Sequence, residues 1–239
     1  PDFPTPSHVI EEVKIASENP AYHKYTAVGG LPILRDEISR TTKKYSNFEI
    51  DPDNVVVTNG GKQAILTTFM SLLDPGDEVL IPSPYWTTYP EAVKISGGDP
   101  VVVDTDFEND FKVTVEQLEE KFTEKTKVLV WVSPSNPTGV VYSKEEAEEI
   151  YNWAFDKNIW ILSDELYEHL VYEGVTSPSP ATIDKNLEKT IVVNGVAKAY
   201  SMTGWRVGWI MGNDDVIGLS KKIQSHATSN VANISQVAA

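Results

Sequence analysis

The sequence predicts a three-layer α/β fold, in which helices cover both faces of a mainly parallel sheet. From residue 54 onward, short runs of β-branched and other apolar residues alternate with amphipathic stretches of helical length. This alternation is typical of strand-helix-strand units that build a parallel sheet. A second observation supports it, because glycine-rich and polar segments directly follow several predicted strands, where open α/β sheets bind ligands.

The predicted strands are short and apolar, which suits strands buried between two layers of helices. They span residues 54–58, 78–81, 101–104, 127–132, 159–163, 190–193 and 207–211. Helices are predicted at residues 62–73, 143–157 and 214–225. The second of these opens with Ser143 and has Glu146 three residues on, which is the pattern of a capping box.

Residues before 54 predict two further helices, at 6–17 and 31–45, joined by a loop that contains proline and glycine. A chain of 239 residues with 41% hydrophobic content suits one large α/β domain better than two small ones. We therefore expect a single domain over residues 1–239, with residues 1–50 as its helical flank.

Composition excludes several classes of function. The formal net charge of −15 opposes binding to a phosphate backbone, so we expect no nucleic-acid partner. The absence of cysteine excludes disulfides and thiolate metal sites. No apolar stretch is long enough for a membrane span and no signal-peptide pattern opens the chain. We expect a cytoplasmic protein that acts on small solutes, without a membrane partner.

Lys198 is the most informative single residue, because it follows the apolar run 190–193. An ammonium is costly to desolvate, so a lysine at the end of a buried strand is pushed toward its neutral form. The neutral amine is a nucleophile that forms a Schiff base with an aldehyde. The alternative is an ordinary lysine on a surface loop.

A phosphate site is indicated where the first predicted strand meets the following helix. Gly60 and Gly61 leave backbone N–H groups exposed at the positive end of the helix dipole, which suits an anion. A glycine pair is more often only a tight turn. Arg206, eight residues after Lys198, can bind a phosphate with two parallel hydrogen bonds, although a surface salt bridge is its ordinary role.

Four more residues follow predicted strands or start helices, and each has a structural alternative. Asp164 ends an apolar run, so its carboxylate needs a partner such as a protonated ring nitrogen, or else caps a helix. Tyr167 could bond a phenolate oxygen or pack in the core. Asn136, between two prolines, either satisfies its own turn or points its amide at a ligand. Trp86 either stacks on a ring or simply packs.

Taken together, these residues supply what pyridoxal 5′-phosphate requires. The cofactor needs a Schiff-base lysine, a phosphate site with an arginine, an acid for the ring nitrogen, a partner for the phenolate and a stacking aromatic. The acid keeps the ring protonated, so that the ring accepts electrons when the substrate Cα–H bond is broken. Lys198 would then move the proton, which is the chemistry of transamination.

The sequence resembles the fold-type-I, pyridoxal-phosphate-dependent aminotransferases of class I and II, and is most similar to their bacterial aspartate or aromatic branch. The matching segments occur in order along almost the whole chain. They are residues 25–32, 60–64, 74–79, 84–86, 133–139, 163–167 and 197–208.

The resemblance implies a role for each candidate residue. Lys198 would carry the cofactor and act as general acid and base, and Asp164 would pair with the pyridine nitrogen. Tyr167 and Asn136 would bond the phenolate oxygen, with Asn136 also near the substrate carboxylate. Trp86 would stack on the cofactor ring beside the substrate.

Phosphate binding is implied for a further set of residues, namely Gly60, Gly61, Lys62 and Arg206. Tyr25 would reach the phosphate in a second subunit, which implies a homodimer with shared active sites. Ala197 and Gly195 stand where many relatives carry hydroxyl groups, so phosphate binding would depend more on backbone amides.

The ends of the chain also differ from the family pattern. The chain begins at Pro1, just after the point where relatives have a glycine beside the substrate carboxylate, and it ends at Ala239. The resemblance implies that the small C-terminal domain, which supplies a carboxylate-binding arginine, follows this point. We therefore expect the chain to be the large, cofactor-binding domain of the enzyme.

The favoured function is transfer of the amino group of an L-amino acid, of aspartate or aromatic type, to a 2-oxo acid. Two alternatives share the cofactor site. One is a C–S lyase of the same fold, which eliminates a side-chain substituent. The other is a non-catalytic regulator that senses the cofactor and is fused to a DNA-binding module.

Overall fold

A seven-stranded sheet forms the centre of the computed structural model, which describes residues 2–172 and 174–239. All seven strands were predicted, and their bounds differ from the prediction by two residues at most. They are β1 (Val55–Thr58), β2 (Glu78–Pro82), β3 (Asp99–Val103), β4 (Thr126–Val132), β5 (Trp160–Asp164), β6 (Thr190–Gly195) and β7 (Gly208–Met211).

The strand order is β1-β7-β6-β5-β4-β2-β3, and β7 runs antiparallel to both of its neighbours. The other pairs are parallel, which confirms the prediction of a mainly parallel sheet. A parallel connection requires a crossover, usually a helix, whereas the segment between β6 and β7 contains only a short 3-10 turn at Thr203–Trp205. The chain therefore returns beside β6, and β1 to β6 all end at the same edge of the sheet.

Eight α-helices occur in the described part of the chain. They are α1 (Ser7–Ser17), α2 (Pro32–Tyr45), α3 (Gly61–Leu72), α4 (Thr88–Ile95), α5 (Val115–Lys121), α6 (Lys144–Asp156), α7 (Asp214–Ala227) and α8 (Asn233–Ala238). The predicted capping box of α6 is confirmed, since Ser143 and Glu146 bond each other's backbone N–H groups. Across residues 2–172 and 174–239, no helix combines the length and apolarity that crossing a bilayer requires.

Helices α4, α5 and α8 were not predicted. They contain eight, seven and six residues, so each is too short to show a helical period in its apolar residues. Helix α4 also contains Pro90, which weakens any helical pattern further.

Alternate residues of the central strands face opposite layers, which produces the three-layer architecture. Val128 and Val130 of β4 pack in a core with α3, α4 and α7. Leu129 and Trp131 of the same strand pack in a second core with α5 and α6. A third core joins β1, β6 and β7 to α2 and the C-terminal helix α8. The three-layer α/β class is therefore confirmed.

Backbone segments meet closely where α3 begins. A Cβ atom on Gly208 would lie 2.7 Å from the nitrogen of Gly61 and 3.0 Å from the carbonyl oxygen of Asn194. Gly195 lies opposite Gly208 across the β6–β7 pair, and a Cβ there would lie 2.9 Å from the Cα of Gly208. Glycine at these positions lets the first turn of α3 rest directly on β6 and β7.

Two acidic residues fasten the turn that follows β5. The carboxyl of Glu165, 3% exposed, accepts hydrogen bonds from the hydroxyls of Ser163 and Ser179 at 2.7 and 2.5 Å. Burial, with the nearby Glu168 carboxylate as a second cause, raises the pKa of Glu165 to about 8. Glu165 therefore holds a proton at neutral pH and adds no second charge beside Asp164.

Glu168 fixes the other end of the same turn. Its two carboxylate oxygens accept hydrogen bonds of 2.7 Å from the amide of Asn194 in β6 and from the hydroxyl of Ser46, directly after α2. The turn is thereby joined to the neighbouring strand and to the helical flank.

Replacing Gly208 with alanine should destabilise the protein by about 1–3 kcal/mol, because the new methyl group meets backbone atoms that cannot move away. Gly218→Ala in α7 is the matched control, since a Cβ there meets no atom within 4 Å. The control should stabilise the helix by up to about 1 kcal/mol. Urea unfolding of the two variants measures the difference, and equal stability would contradict the close backbone contact.

Glu165→Gln should remove a pH dependence of stability. The pKa of this carboxyl is raised when the protein is folded, so its contribution is complete below about pH 4.5 and is lost as the pH rises to about 8. Glutamine does not titrate. The variant should gain about 1 kcal/mol per pH unit relative to the wild type across this range.

Denaturant unfolding at several pH values measures this effect, with Glu120→Gln at an exposed position as the control. Parallel stability curves for the wild type and Glu165→Gln would contradict a buried, protonated carboxyl.

Candidate active site

The predicted site residues other than Tyr25 meet at the edge of the sheet where β1, β4, β5 and β6 end. A chain of contacts connects them, from Lys62 over the ring of Trp86, through Tyr89 to Asp164, and on to Lys198 and Tyr167. Asn136 lines one cavity with Tyr89 and a second groove with Tyr167. Arg206 lies over Gly60.

Asp164 is the last residue of β5 and is only 5% exposed. One carboxylate oxygen accepts a hydrogen bond of 2.7 Å from the hydroxyl of Tyr89. The other accepts the backbone N–H of Leu166 at 3.2 Å, so Asp164 also closes the turn after its strand. Burial raises its pKa, while these two hydrogen bonds and the charge of Lys198 oppose that rise.

Tyr89 is a site residue that the sequence analysis missed. It lies in α4, is almost fully buried, and its ring meets that of Trp86 edge to face at a centroid distance of 5.7 Å. Burial, together with the Asp164 carboxylate, raises the pKa of Tyr89 well above its usual value, so it remains a hydrogen-bond donor. Trp86 lies two residues before α4, and the N–H of Tyr89 bonds the carbonyl oxygen of Trp86 at 3.1 Å, so the turn that starts the helix brings the two rings together.

Lys198 lies three residues beyond the end of β6 and is half-buried. Its amine sits 5.4 Å from the centre of the Tyr167 ring. Within residues 2–172 and 174–239 this amine makes no ion pair and no hydrogen bond. The amine therefore lies near the ring of Tyr167, and its charge acts on Asp164.

Groups that favour an anion meet at the start of α3. Gly60 has a φ of 85°, and a Cβ there would lie 2.5 Å from the guanidinium of Arg206. The N–H groups of Gly61 and Lys62 open the helix and find no acceptor among the described residues. Free amides, a helix N-terminus and a guanidinium at one place can hold a phosphate.

The guanidinium of Arg206 is held by backbone carbonyls instead of a carboxylate. It donates to the carbonyl oxygens of Asn59 and Thr203 at 3.1 and 3.0 Å. No ion pair to it occurs in the described part of the chain, so the salt-bridge alternative has no support. Its positive charge remains available beside the glycine pair.

Trp86 and Asn136 both lie near Tyr89, Trp86 through the contact of their rings and Asn136 across a shared cavity. The amine of Lys62 lies 5.1 Å from the centre of the indole ring of Trp86. The amide of half-buried Asn136 makes no hydrogen bond to any residue that the structure describes, so it does not merely satisfy its own turn. Both side chains are thus free to meet a ligand.

Tyr25 is separate from this cluster. It lies on the segment between α1 and α2, and 88% of it is exposed. The residues just before it, Tyr22 and Lys24, are bonded to Asn233 of α8.

The donor groups fit pyridoxal 5′-phosphate. An unpaired amine can meet an aldehyde, a buried carboxylate can meet a pyridinium nitrogen, and the free amides with Arg206 can meet a phosphate. The ring of half-buried Trp86 and the unbonded amide of Asn136 could supply the remaining contacts.

Comparison with known proteins agrees with this chemistry. The sequence matches the family "Aminotransferase class I and II" over residues 1–239. An aspartate aminotransferase of Streptomyces avermitilis is 55% identical over 234 residues, which cover 98% of this chain and 57% of the relative. An asparagine-oxo-acid transaminase of Streptococcus mutans is 44% identical, over 100% of this chain and 61% of the relative.

A solved structure is similar as well. The aromatic aminotransferase from Pyrococcus horikoshii superimposes with a TM-score of 0.96 at 37% identity, and the match covers 100% of this chain and 64% of that one. The chain thus spans about three-fifths of the length of the proteins it matches. It belongs to the class I and II aminotransferases, a family of enzymes that depend on pyridoxal 5′-phosphate.

Proposed function

We propose that this protein transfers the amino group of an L-amino acid, of aspartate or aromatic type, to a 2-oxo acid. The unpaired amine of Lys198 beside the buried carboxylate of Asp164 is the observation that carries the proposal. When bound, pyridoxal 5′-phosphate supplies an aldehyde for an amine and an aromatic ring that accepts electrons. The chain supplies the groups that hold this ring and move the proton.

Asp164 is the residue that orients and charges the ring. A carboxylate that is buried and already bonded by Tyr89 and Leu166 has one fixed position. It can therefore hold a proton on the ring nitrogen by direct pairing. Tyr167 and Asn136 would bond the phenolate oxygen, and Trp86 would stack on the ring, with Trp86 and Asn136 also next to the substrate.

Lys198 is the general base and acid. Its amine extends from a backbone held by β6, and it lies over the ring of Tyr167 within the electrostatic reach of Asp164. In this position Nζ could accept the α proton of a bound substrate and hold it for return to a neighbouring carbon.

The phosphate is held at the first turn of α3. The amides of Gly61 and Lys62 and the guanidinium of Arg206 supply hydrogen bonds and positive charge, and Gly60 leaves space for them. Backbone amides supply much of the hydrogen bonding to the phosphate, since Ala197 and Gly195 have no hydroxyl group.

We also propose that residues 1–239 form the large cofactor-binding domain, with residues 1–50 as its flank, and that the enzyme is a cytoplasmic homodimer with shared active sites. The exposure of Tyr25 supports the shared site. Because 88% of its surface is open and it lies apart from the other candidate site residues of its own subunit, its side chain is free to contact a second subunit.

The decisive experiment is an absorbance titration of the full-length protein loaded with pyridoxal 5′-phosphate. Aspartate or an aromatic amino acid should convert the spectrum of the lysine-bound cofactor to that of its amine form, and a 2-oxo acid should reverse the change. Lys198→Ala should abolish the conversion, with a rate loss of at least about a thousandfold. Lys222→Ala, an exposed lysine of α7, is the matched control.

Each result decides between functions. Release of ammonia and a 2-oxo acid from an S-substituted cysteine, with no reversible amino transfer from any donor, would favour the C–S lyase. A lysine-bound cofactor that no amino acid converts would favour the regulator.

Tyr89→Phe should slow the same conversion by about tenfold, because it removes the hydroxyl donor of Asp164. Loss of that donor raises the pKa of Asp164 further, so the acid limb of the pH profile should move to higher pH. Tyr85→Phe, which lines the same cavity without bonding Asp164, is the control. An unchanged acid limb in Tyr89→Phe would contradict this role.

A further inference from the structure

The segment that carries Tyr25 has little regular secondary structure of its own. After a 3-10 turn at Pro20–His23, residues 24–31 run to the start of α2 outside any helix or strand. Backbone groups in such a segment need hydrogen-bond partners from elsewhere in the molecule. Most of these partners are side-chain amides from the C-terminal helices.

Asn233, at the start of α8 and 4% exposed, makes three hydrogen bonds to this segment, two of them to its backbone. Its amide nitrogen donates to the carbonyl oxygens of Tyr22 and Lys24 at 3.1 and 2.7 Å. Its amide oxygen accepts the hydroxyl of Thr26 at 2.7 Å. Asn233 therefore bonds the residues on both sides of Tyr25.

Two buried glutamines fix the rest of the segment. Gln224 of α7 donates to the carbonyl oxygen of Val28 at 2.7 Å, and Gln236 of α8 accepts the N–H of Leu31 at 2.7 Å. Both side chains are almost fully buried. The segment is thus held from Tyr22 to Leu31 by side chains that water does not reach.

The direction of Tyr25 follows from this attachment. Thr26 and Val28 are half-buried and face α7 and α8, whereas Tyr25 and Ala27 are exposed. In extended backbone, neighbouring side chains point in opposite directions. Fixing Lys24 and Thr26 from one side therefore directs Tyr25 outward.

We propose that Asn233 is a positioning residue for a second subunit: it fixes Tyr25 so that its hydroxyl meets the cofactor phosphate bound there. This inference rests on the proposed function. A hydrogen bond to a phosphate requires a donor within a few tenths of an ångström of its place, and an exposed tyrosine on an untethered segment would not keep that place.

The first test measures the dissociation constant of pyridoxal 5′-phosphate by the absorbance of the lysine-bound cofactor. Tyr25→Phe and Asn233→Ala should each raise this dissociation constant about tenfold. Each variant should lose the hydrogen bond from the Tyr25 hydroxyl to the charged phosphate, the first directly and the second by releasing Tyr25. The double variant should bind no more weakly than Tyr25→Phe alone, since Asn233 acts through Tyr25. Additive losses would mean that Asn233 acts on the fold in general and would overturn the proposal.

The second test uses mixed dimers of Asn233→Ala with Lys198→Ala subunits. Only the Asn233→Ala subunit can then form the lysine-bound cofactor, and the intact Tyr25 of its Lys198→Ala partner reaches that phosphate. The dissociation constant should return to the wild-type value. A mixed dimer as weak as the Asn233→Ala homodimer would overturn the proposal, because the defect would lie within one subunit.

Controls separate the possible failures. Asn54→Ala, which removes an asparagine that bonds the carbonyl oxygen of Gly212 at the opposite edge of the sheet, should leave the dissociation constant unchanged. If Asn233→Ala does not fold, Thr26→Val should show the same double-variant and mixed-dimer behaviour, and Thr26→Ser should bind as the wild type does.

A wild-type protein that never forms the lysine-bound cofactor would refute the proposed function itself. Normal cofactor binding by Tyr25→Phe would refute only the role of Tyr25, and with it this inference.

Discussion

The buried carboxylate of Asp164 is the constraint around which the functional edge is arranged. A carboxylate removed from water needs hydrogen bonds and a nearby positive charge. The structure meets this need from three separate elements, with Tyr89 of α4, the N–H of Leu166 and the charge of Lys198 after β6. The same requirement leaves Asp164 ready for one further positive partner, which a protonated ring nitrogen would provide.

Electrostatics at this edge differ from those of the whole chain. With a net charge of −15, the protein repels anions at a distance, so attraction to a phosphate must be local. The start of α3 provides it through free amides, Lys62 and Arg206, which lies over Gly60 because β7 returns antiparallel beside β6. Protonated Glu165 keeps a further negative charge out of the same region.

The shared-site proposal gives the C-terminal helices a role that their position alone does not suggest. Helix α7 packs in the same core as α4, and α8 packs in the core that contains α2, yet the side-chain amides of both helices determine where the Tyr25 segment lies. Buried amides suit this task, because they bond backbone groups of an irregular segment that has no helix or strand partners. Breaking such a bond would leave a buried polar group without a partner, so the segment has one favoured position. The domain would thus prepare a surface for its partner as well as its own site.

The sequence by itself determined the fold class and most of the candidate site. Strand ends can be located from apolar runs, and ligand-binding residues follow strand ends in such sheets, so Lys198, Asp164 and Asn136 were predictable. Only the tertiary structure decided the contacts of Tyr89 and Asn233. Their partners lie 75 and 209 residues away, at Asp164 and Lys24, and both reside in helices too short to show a period. Contacts of that range arise from how layers pack, and no local pattern of residues records them.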